Sequence, residues 1–157
     1  MDAPNPALPS AQQVADAVRD AMWQDDHSSR LLGLSLLAVG PGTATMSMTV
    51  REDMLNSHRI CHGGLMTTLA DSTFAFACNA YNELTVASGF DVNIFASARL
   101  GDVLTATAHE VARTRRTGVY DIDVHDQNGR RMLAFRGRSV TLTGKLIVPT
   151  MRSTRGD

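Results

Sequence analysis

The sequence is poor in the residues that most readily reveal a protein's chemistry. It contains two cysteines and one tryptophan, and aromatic residues make up 5% of the chain. Neither Cys61 nor Cys78 has a second cysteine at the spacing of metal ligands. This cysteine usage fits a reducing compartment, and we expect a cytoplasmic protein.

An excess of charge of one sign is also lacking, because the formal net charge is -1. No global field therefore favours nucleic acid or a membrane surface as a partner, and any bound anion must be met by a local patch. The chain also lacks an uninterrupted apolar run of about 18 residues, the length of a membrane span. The first ten residues lack the basic flank and apolar run of a targeting segment.

A length of 157 residues suits one domain with a single core. We expect a disordered lead at residues 1–9, one domain at 10–147 and a loose tail at 148–157, where no periodicity is visible.

Hydrophobic periodicity predicts the elements of that domain. Ser10 and Gln13 form a capping box before an amphipathic helix that ends near Gln24. The predicted strands comprise two before residue 51, at 31–39 and 43–50, and four after residue 84, at 85–97, 102–114, 118–126 and 130–143. Short turns between the last four predict antiparallel neighbours, with an Asn128-Gly129 hairpin before the final strand.

The segment between the two groups of strands is organised around Asp71. Residues 65–81 are apolar on almost every side, which predicts a helix buried on most of its circumference. A carboxylate there is costly unless it is paired, hydrogen-bonded or open to a cleft. The Asp71 carboxylate therefore either opens onto a cleft or caps a helix that restarts at Ser72. One helix among six strands predicts an α+β fold, with one antiparallel sheet wrapped around it.

Three short motifs carry a resemblance to a known family. Asn56, then His62-Gly63-Gly64, then Leu69-Ala70-Asp71 resemble the acyl-CoA thioesterases of the phenylacetate-degradation (PaaI) type, which have the hot-dog fold. The similarity extends over residues 31–143 and includes Thr117-Gly118-Val119-Tyr120-Asp121.

Thioester hydrolysis needs donors on the carbonyl oxygen and a base or nucleophile for its carbon. Gly63 and Gly64 open the helix, where N–H groups lack intrahelical partners and carry its positive end. The resemblance implies that the Gly63 N–H and Asn56 polarise the thioester and that Asp71 is the general base or the nucleophile. His62 either transfers a proton or orients the others. A loop asparagine such as Asn56 also commonly bonds only its own backbone.

The spacing of these residues has a consequence for assembly. Eight residues of helix separate Gly63 from Asp71, a span of about 12 Å. Reacting groups must converge within about 3 to 4 Å. We therefore predict that Asp71 of one subunit works with Asn56, His62 and Gly63 of another, in an obligate dimer. The resemblance likewise implies sites between subunits, commonly in a tetramer.

Two further sets of residues are candidates for substrate binding. Arg113, Arg115 and Arg116, followed by Thr117, could bind the phosphates of coenzyme A or form a solvated hairpin end.

Apolar side chains around the helix are candidates for an acyl pocket, although core packing also explains them. They are Leu55, Met66, Leu69 and Phe74.

Other chemistries are excluded by spacing. His58 and His62 precede the helix rather than share its face and lack an acidic third ligand, so we predict no metal site. Cys61 adjoins His62 in an extended loop, where the side chains diverge, so a Cys-His nucleophile is also excluded. No dinucleotide or phosphate loop is present, and we expect no cofactor. The terminal Arg155-Gly156-Asp157 is interpreted as a chance tripeptide.

The first hypothesis is therefore an acyl-CoA thioesterase, and the resemblance implies a small aryl acyl group such as phenylacetyl. A dehydratase or hydratase of acyl thioesters needs an acid–base pair in an Asp-x-Asn-Pro-x-x-x-His type segment, which is missing. A non-catalytic acyl-CoA sensor is the third class, but no DNA-binding segment precedes the fold.

Overall fold

The structure, a computed structural model, describes residues 8–156. None of the helices in this part of the chain is long and apolar enough to cross a membrane. Residues 1–7 of the predicted lead lie outside the described residues. The helices are α1 (Ala11–Asp25), α2 (His27–Leu31) and α3 (Gly63–Asn79), with a 3-10 turn at Glu52–Met54. The strands are β1 (Ser35–Gly40), β2 (Thr43–Thr49), β3 (Thr85–Ile94), β4 (Val103–Arg113), β5 (Thr117–His125) and β6 (Arg131–Thr141).

The six strands form one antiparallel sheet in the order β1-β2-β4-β5-β6-β3, and the sheet wraps around α3. This is the hot-dog fold, as predicted. One expected pairing is wrong, because β3 and β4 are not neighbours. The connection between them instead runs past the start of α3, where the Cys61 N–H donates to the Ala98 carbonyl at 2.8 Å. Within residues 8–156, β3 therefore lies at the edge of the sheet and pairs only with β6.

The N-terminal region follows its capping signals. Ser10 and Gln13 form the predicted capping box at the start of α1. The predicted first strand starts too early, because Asp26 begins the short helix α2 by accepting a hydrogen bond from the Ser29 N–H at 3.0 Å. Strand β1 consequently begins at Ser35.

The core lies between α3 and the concave face of the sheet. The second predicted strand is present as β2, and its alternate residues Ala44, Met46 and Met48 are at most 2% exposed. The ring of Phe74 in α3 lies against Gly137 of β6, and a Cβ on that glycine would lie 2.9 Å from the ring. The close approach therefore requires glycine at position 137.

The C-terminal tail has no helix or strand, and several of its backbone groups are hydrogen-bonded to the rest of the chain. The Asn82 side chain donates to the carbonyls of Val148 and Met151 and accepts from the Val148 N–H. The Thr154 N–H donates to the Tyr81 carbonyl at 3.0 Å. Hydrogen bonds to the turn after α3 thus hold the tail without regular structure, which periodicity cannot predict.

Candidate active site

His62 caps α3 and fixes the geometry of the helix start. Its Nδ1 accepts a hydrogen bond from the Gly64 N–H at 3.1 Å. In a neutral imidazole the ring proton then resides on Nε2, which is a donor. His62 is exposed, so this donor is accessible from solvent. This hydrogen bond is the contact expected of a residue that orients the helix start.

Asn56 lies in the loop that leads to this helix start. Its Oδ1 accepts from the His58 N–H at 2.9 Å and from the Ile60 N–H at 3.4 Å. The expected bond to the loop backbone is therefore present. It engages the oxygen alone, and the Nδ2 donors have no acceptor among residues 8–156. The backbone thus fixes the orientation of the amide and leaves its donating side available.

Gly63 is the first residue of α3. Its N–H has no acceptor within the described chain, whereas the next two N–H groups donate to His62. A Cβ on Gly63 would lie 2.7 Å from Cδ1 of Ile94, the last residue of β3. Glycine therefore leaves a free donor at the positive end of the helix, next to the end of the edge strand.

Asp71 lies in the middle of α3, which is continuous, so the alternative of a helix restart at Ser72 is wrong. The carboxylate has no hydrogen-bond partner among the described residues. It faces a cavity of about 690 Å³ between α1, α3 and the start of β3. Burial raises the pKa of the Asp71 carboxyl above its usual range. A half-buried, unpaired carboxylate that opens onto a cavity is a typical candidate for acid–base chemistry.

Within one chain the predicted catalytic residues occupy two places. His62 and Gly64 line a recess of about 430 Å³ together with Leu55, and Asp71 is not part of it. The Asp71 cavity in turn includes none of the residues at the helix start. The continuous helix keeps the two places about 12 Å apart along its axis.

The apolar residues predicted as candidates for substrate binding do not lie in one place. Leu55 is half-buried beside His62, whereas Met66 and Leu69 are core residues. Phe74 reaches the Asp71 cavity. Sequence reasoning missed Met22 of α1 and Ile147 in the segment after β6, which also line this cavity. Neither residue lies near the motifs in the sequence, and only the tertiary fold brings them to Asp71.

The arginines of the predicted basic cluster, Arg113, Arg115 and Arg116, also differ in their surroundings. Arg113 is committed to the protein, since its Nε donates to Glu110 Oε1 at 3.1 Å and its guanidinium lies 4.4 Å from the centre of the Tyr81 ring. Arg115 and Arg116 are exposed in the turn between β4 and β5. Thr117 is also exposed, and its N–H and hydroxyl bond the Thr114 hydroxyl. Two arginines therefore remain available to an anion.

The cysteines do not supply a nucleophile. Burial raises the pKa of Cys61 to about 11 and that of Cys78 to about 12, so both are protonated near neutral pH. Within residues 8–156, no three His, Cys, Asp or Glu side chains are grouped as a metal site.

The model of the thioesterase superfamily matches residues 58–133. The acyl-coenzyme A thioesterase PaaI of Escherichia coli K12 is 38% identical over 126 residues, which are 80% of this chain and 90% of that protein.

Solved structures agree with this match. The structure of the E. coli PaaI protein superposes with a TM-score of 0.84 at 37% identity, covering 87% of this chain and 99% of that one. The structure of a mutant of the phenylacetic acid degradation protein PaaI from Thermus thermophilus superposes with a TM-score of 0.72 at 35% identity. The match covers 74% of this chain and 100% of that one. The chain therefore belongs to the PaaI-type family of hot-dog thioesterases, and it is a thioester hydrolase.

Proposed function

We propose that this enzyme hydrolyses acyl-CoA thioesters at a site shared by two subunits. The thioester carbonyl oxygen accepts hydrogen bonds from Asn56 Nδ2 and the Gly63 N–H of one subunit. Asp71 of the other subunit faces the carbonyl carbon. One observation supports this proposal: the start of α3 has hydrogen-bond donors without acceptors in the described chain, and the same helix carries an unpaired carboxylate that opens onto a cavity.

The chemistry follows from these positions. Asp71 either removes a proton from water, whose oxygen attacks the carbonyl carbon, or attacks that carbon itself to form a mixed anhydride. Negative charge that develops on the carbonyl oxygen is stabilised by the two donors. The carbon–sulfur bond then breaks, and sulfur leaves as the thiol of coenzyme A with the proton that Asp71 took from water or, in the second route, with a proton from solvent water. In the second route a water molecule then hydrolyses the mixed anhydride, which releases the acid and restores the Asp71 carboxylate. His62 positions the helix start through Nδ1.

The edge strand supports the sharing of the site between subunits. β3 has a free edge, and Val86, Phe90 and Ile94 along it are 43%, 44% and 52% exposed. Such an edge is a template for another strand. Gly63 adjoins Ile94 at the end of β3, whereas the Asp71 cavity includes Val86 near its start. If a second copy pairs antiparallel through β3, the start of one strand faces the end of the other. Asp71 of each subunit then approaches Gly63 of its partner.

Two such dimers pair into a tetramer in this proposal, as the family resemblance implies. The acyl group occupies the Asp71 cavity. Met22, Phe74, Cys78 and Ile147 give that cavity an apolar wall suited to a small aryl group such as phenylacetyl. The name of the T. thermophilus relative points to the same acyl group.

A panel of acyl-CoAs with a thiol-reactive dye tests the reaction. We expect release of free thiol, fastest with arylacetyl groups. Hydration of an enoyl thioester would change absorbance without thiol, and a sensor would bind without either signal. Loss of enoyl absorbance without thiol release would overturn the hydrolase assignment.

The role of Asn56 is tested by Asn56→Asp. This variant keeps the oxygen that accepts from His58 and Ile60 but removes both Nδ2 donors. We expect kcat to fall about 10²- to 10³-fold, the cost of losing one oxyanion donor. Steady-state kinetics measure the loss, and circular dichroism checks the fold. Asn128→Asp, in the exposed hairpin, is the matched control. Equal activity of the two variants would remove Asn56 from the site.

The β3 interface is tested by Phe90→Lys, which places a charge at the middle of the free edge. We expect a folded monomer in analytical ultracentrifugation and loss of nearly all thioesterase activity, because the two halves of the site no longer meet. Val111→Lys, at an equally exposed position on β4, should leave the assembly intact. An active Phe90→Lys monomer would show that one chain suffices.

A further inference from the structure

Phe74 borders the Asp71 cavity from the side of the core. It follows Asp71 by three positions in α3, so the two side chains are neighbours on the surface of the helix. Phe74 lines the cavity although it is only 1% exposed, because its ring is packed on its remaining sides. The place that this ring occupies therefore decides how much of the cavity is open beside the carboxylate.

Gly137 of β6 gives the ring its place against the sheet. A Cβ at this position would lie 2.9 Å from each of Cε1, Cε2 and Cζ of Phe74, which is too close for the ring to stay where it is. Gly137 is not among the residues with positive φ, so its backbone conformation does not require glycine. The absence of a side chain instead lets the ring lie directly against the strand.

Two further rings hold Phe74 from the sides. Tyr120 of β5 is the cross-strand partner of Gly137, and its ring centre lies 5.5 Å from that of Phe74. The ring centre of Phe135, two residues before Gly137 in β6, lies 5.8 Å from that of Phe74. Both rings are buried. A Phe74 ring displaced from the sheet therefore moves into the Asp71 cavity, since that is the open space it borders.

Tyr120 is itself fixed at its hydroxyl end. The hydroxyl donates to Oε2 of Glu110 at 2.9 Å, and Oε1 of Glu110 accepts from Arg113 Nε at 3.1 Å. Gly118 leaves room for the same ring, because a Cβ there would lie 2.8 Å from Cε2 of Tyr120. The hydrogen bond and the close packing thus fix the ring of Tyr120, which in turn supports Phe74.

We propose that Gly137 and Tyr120 set the acyl specificity of the enzyme by positioning Phe74. Gly137 lets the ring lie against the sheet, Tyr120 keeps it there, and the cavity beside Asp71 then admits an aryl group. Neither Gly137 nor Tyr120 lines the cavity, so both act through Phe74 as positioning residues. The inference rests on the proposed function, since it requires the acyl group to occupy the Asp71 cavity.

Gly137→Ala tests the first of these residues in steady-state hydrolysis of phenylacetyl-CoA and acetyl-CoA. The added Cβ displaces the Phe74 ring into the space of the aryl group, whereas an acetyl group is too small to reach it. We expect kcat/KM for phenylacetyl-CoA to fall about tenfold or more, chiefly through KM, and kcat/KM for acetyl-CoA to stay within about twofold.

A second substitution separates this effect from general damage to the fold. Phe74→Leu removes the ring with which the new Cβ collides. The double variant Gly137→Ala/Phe74→Leu should therefore have the same ratio of phenylacetyl-CoA to acetyl-CoA hydrolysis as Phe74→Leu alone. An alanine that merely weakened β6 would lower activity in both backgrounds.

Tyr120→Phe and Tyr81→Phe form a matched pair for the second residue. Each removes a hydroxyl that donates to Oε2 of Glu110 at 2.9 Å, but the ring that packs on Phe74 is that of Tyr120. Tyr120→Phe should lower the ratio of phenylacetyl-CoA to acetyl-CoA hydrolysis about threefold, the effect of one hydrogen bond, and Tyr81→Phe should leave it unchanged. Thermal unfolding shows whether the two variants lose similar stability.

Ala134→Val is the control for added bulk on β6, because Ala134 lies on the face of the strand opposite to Phe135. It should leave the ratio of hydrolysis unchanged. The proposal fails if Gly137→Ala affects both substrates equally, or if its effect on the ratio persists together with Phe74→Leu. Equal ratios in Tyr120→Phe and Tyr81→Phe would remove Tyr120 from the proposal.

Calorimetric binding of two thioethers of coenzyme A, S-phenethyl-CoA and S-ethyl-CoA, separates this inference from the proposed function, because neither ligand can be hydrolysed. Hydrolysis by every variant with an unchanged ratio rejects the positioning of Phe74 alone. If the wild type hydrolyses no acyl-CoA but Gly137→Ala weakens binding of the phenethyl thioether alone, the proposed function fails and the positioning of Phe74 is supported.

Discussion

Replacing Asp71 with asparagine is expected to lower kcat by about 10²- to 10⁴-fold, the usual contribution of a general base. Asparagine keeps the size of the side chain but cannot accept a proton or attack a carbonyl carbon. The measurement is thiol release under saturating acyl-CoA. Asp25→Asn is the matched control, because Asp25 lines the same cavity from the exposed end of α1. Comparable losses in the two variants would contradict a specific role for Asp71.

The same variant should be more stable than the wild type near neutral pH. Burial raises the pKa of Asp71, so the folded chain binds this proton more tightly than the unfolded chain does. The penalty for the charged carboxylate is absent below the unfolded pKa and grows as pH rises through the folded pKa. Thermal unfolding at neutral pH should therefore show a higher Tm for Asp71→Asn, with the difference disappearing at low pH.

The raised pKa of Asp71 predicts the position of the acid limb of the pH–rate profile. The proposed mechanism needs Asp71 as a carboxylate, so kcat should fall with decreasing pH around a value above the ordinary carboxyl range. An acid limb at the ordinary pKa of an exposed aspartate would indicate that another group controls the rate.

Mixing two inactive variants is expected to restore activity. In dimers of Asp71→Asn with Asn56→Asp, one site carries both substitutions and the other carries neither if each site draws on two subunits. Half of the dimers are mixed after subunit exchange, so about a quarter of the wild-type activity should return. Co-expression with two affinity tags allows the mixed dimer to be purified and assayed.

This result depends on the sharing of the site between subunits. If Asp71 and Asn56 of one chain served the same site, every site in the mixture would contain one substitution and no activity would return. Mixing Asp71→Asn with itself, labelled with both tags, controls for effects of co-expression. A fully inactive mixed dimer would overturn the proposed arrangement.

Sequence reasoning performed best where local chemistry decides the structure. The capping box of Ser10 and Gln13 and the alternation from residue 43 to 50 predicted their elements because each depends on neighbours in the chain. Asp71 is identified from the sequence because burying a lone carboxylate in an apolar helix is costly unless it is paired, hydrogen-bonded or open to a cleft. The structure gives it an unpaired position at a cavity.

It failed where distant segments meet. Nothing in the spacing of residues 99–101 indicates that β4 crosses away from β3, since that choice depends on how the whole sheet wraps α3. The ordered tail likewise depends on Asn82, which adopts a positive φ and bonds residues more than 60 positions away. The sequence offers Arg113 either as an anion ligand beside Arg115 or as part of a solvated hairpin end, yet tertiary contacts with Glu110 and Tyr81 occupy it.

The wall of the Asp71 cavity that α1 provides is peripheral to the sheet. Met22 projects from a helix secured at one end by Gln12, whose amide donates to the Val39 carbonyl at 2.8 Å, and at the other by packing of Trp23 on Phe76. The side chain at position 22 can therefore change size without displacing Asp71 or the start of α3. In the proposed site, substitution at this one position broadens or narrows the range of acyl groups while Asp71 and the start of α3 stay as they are.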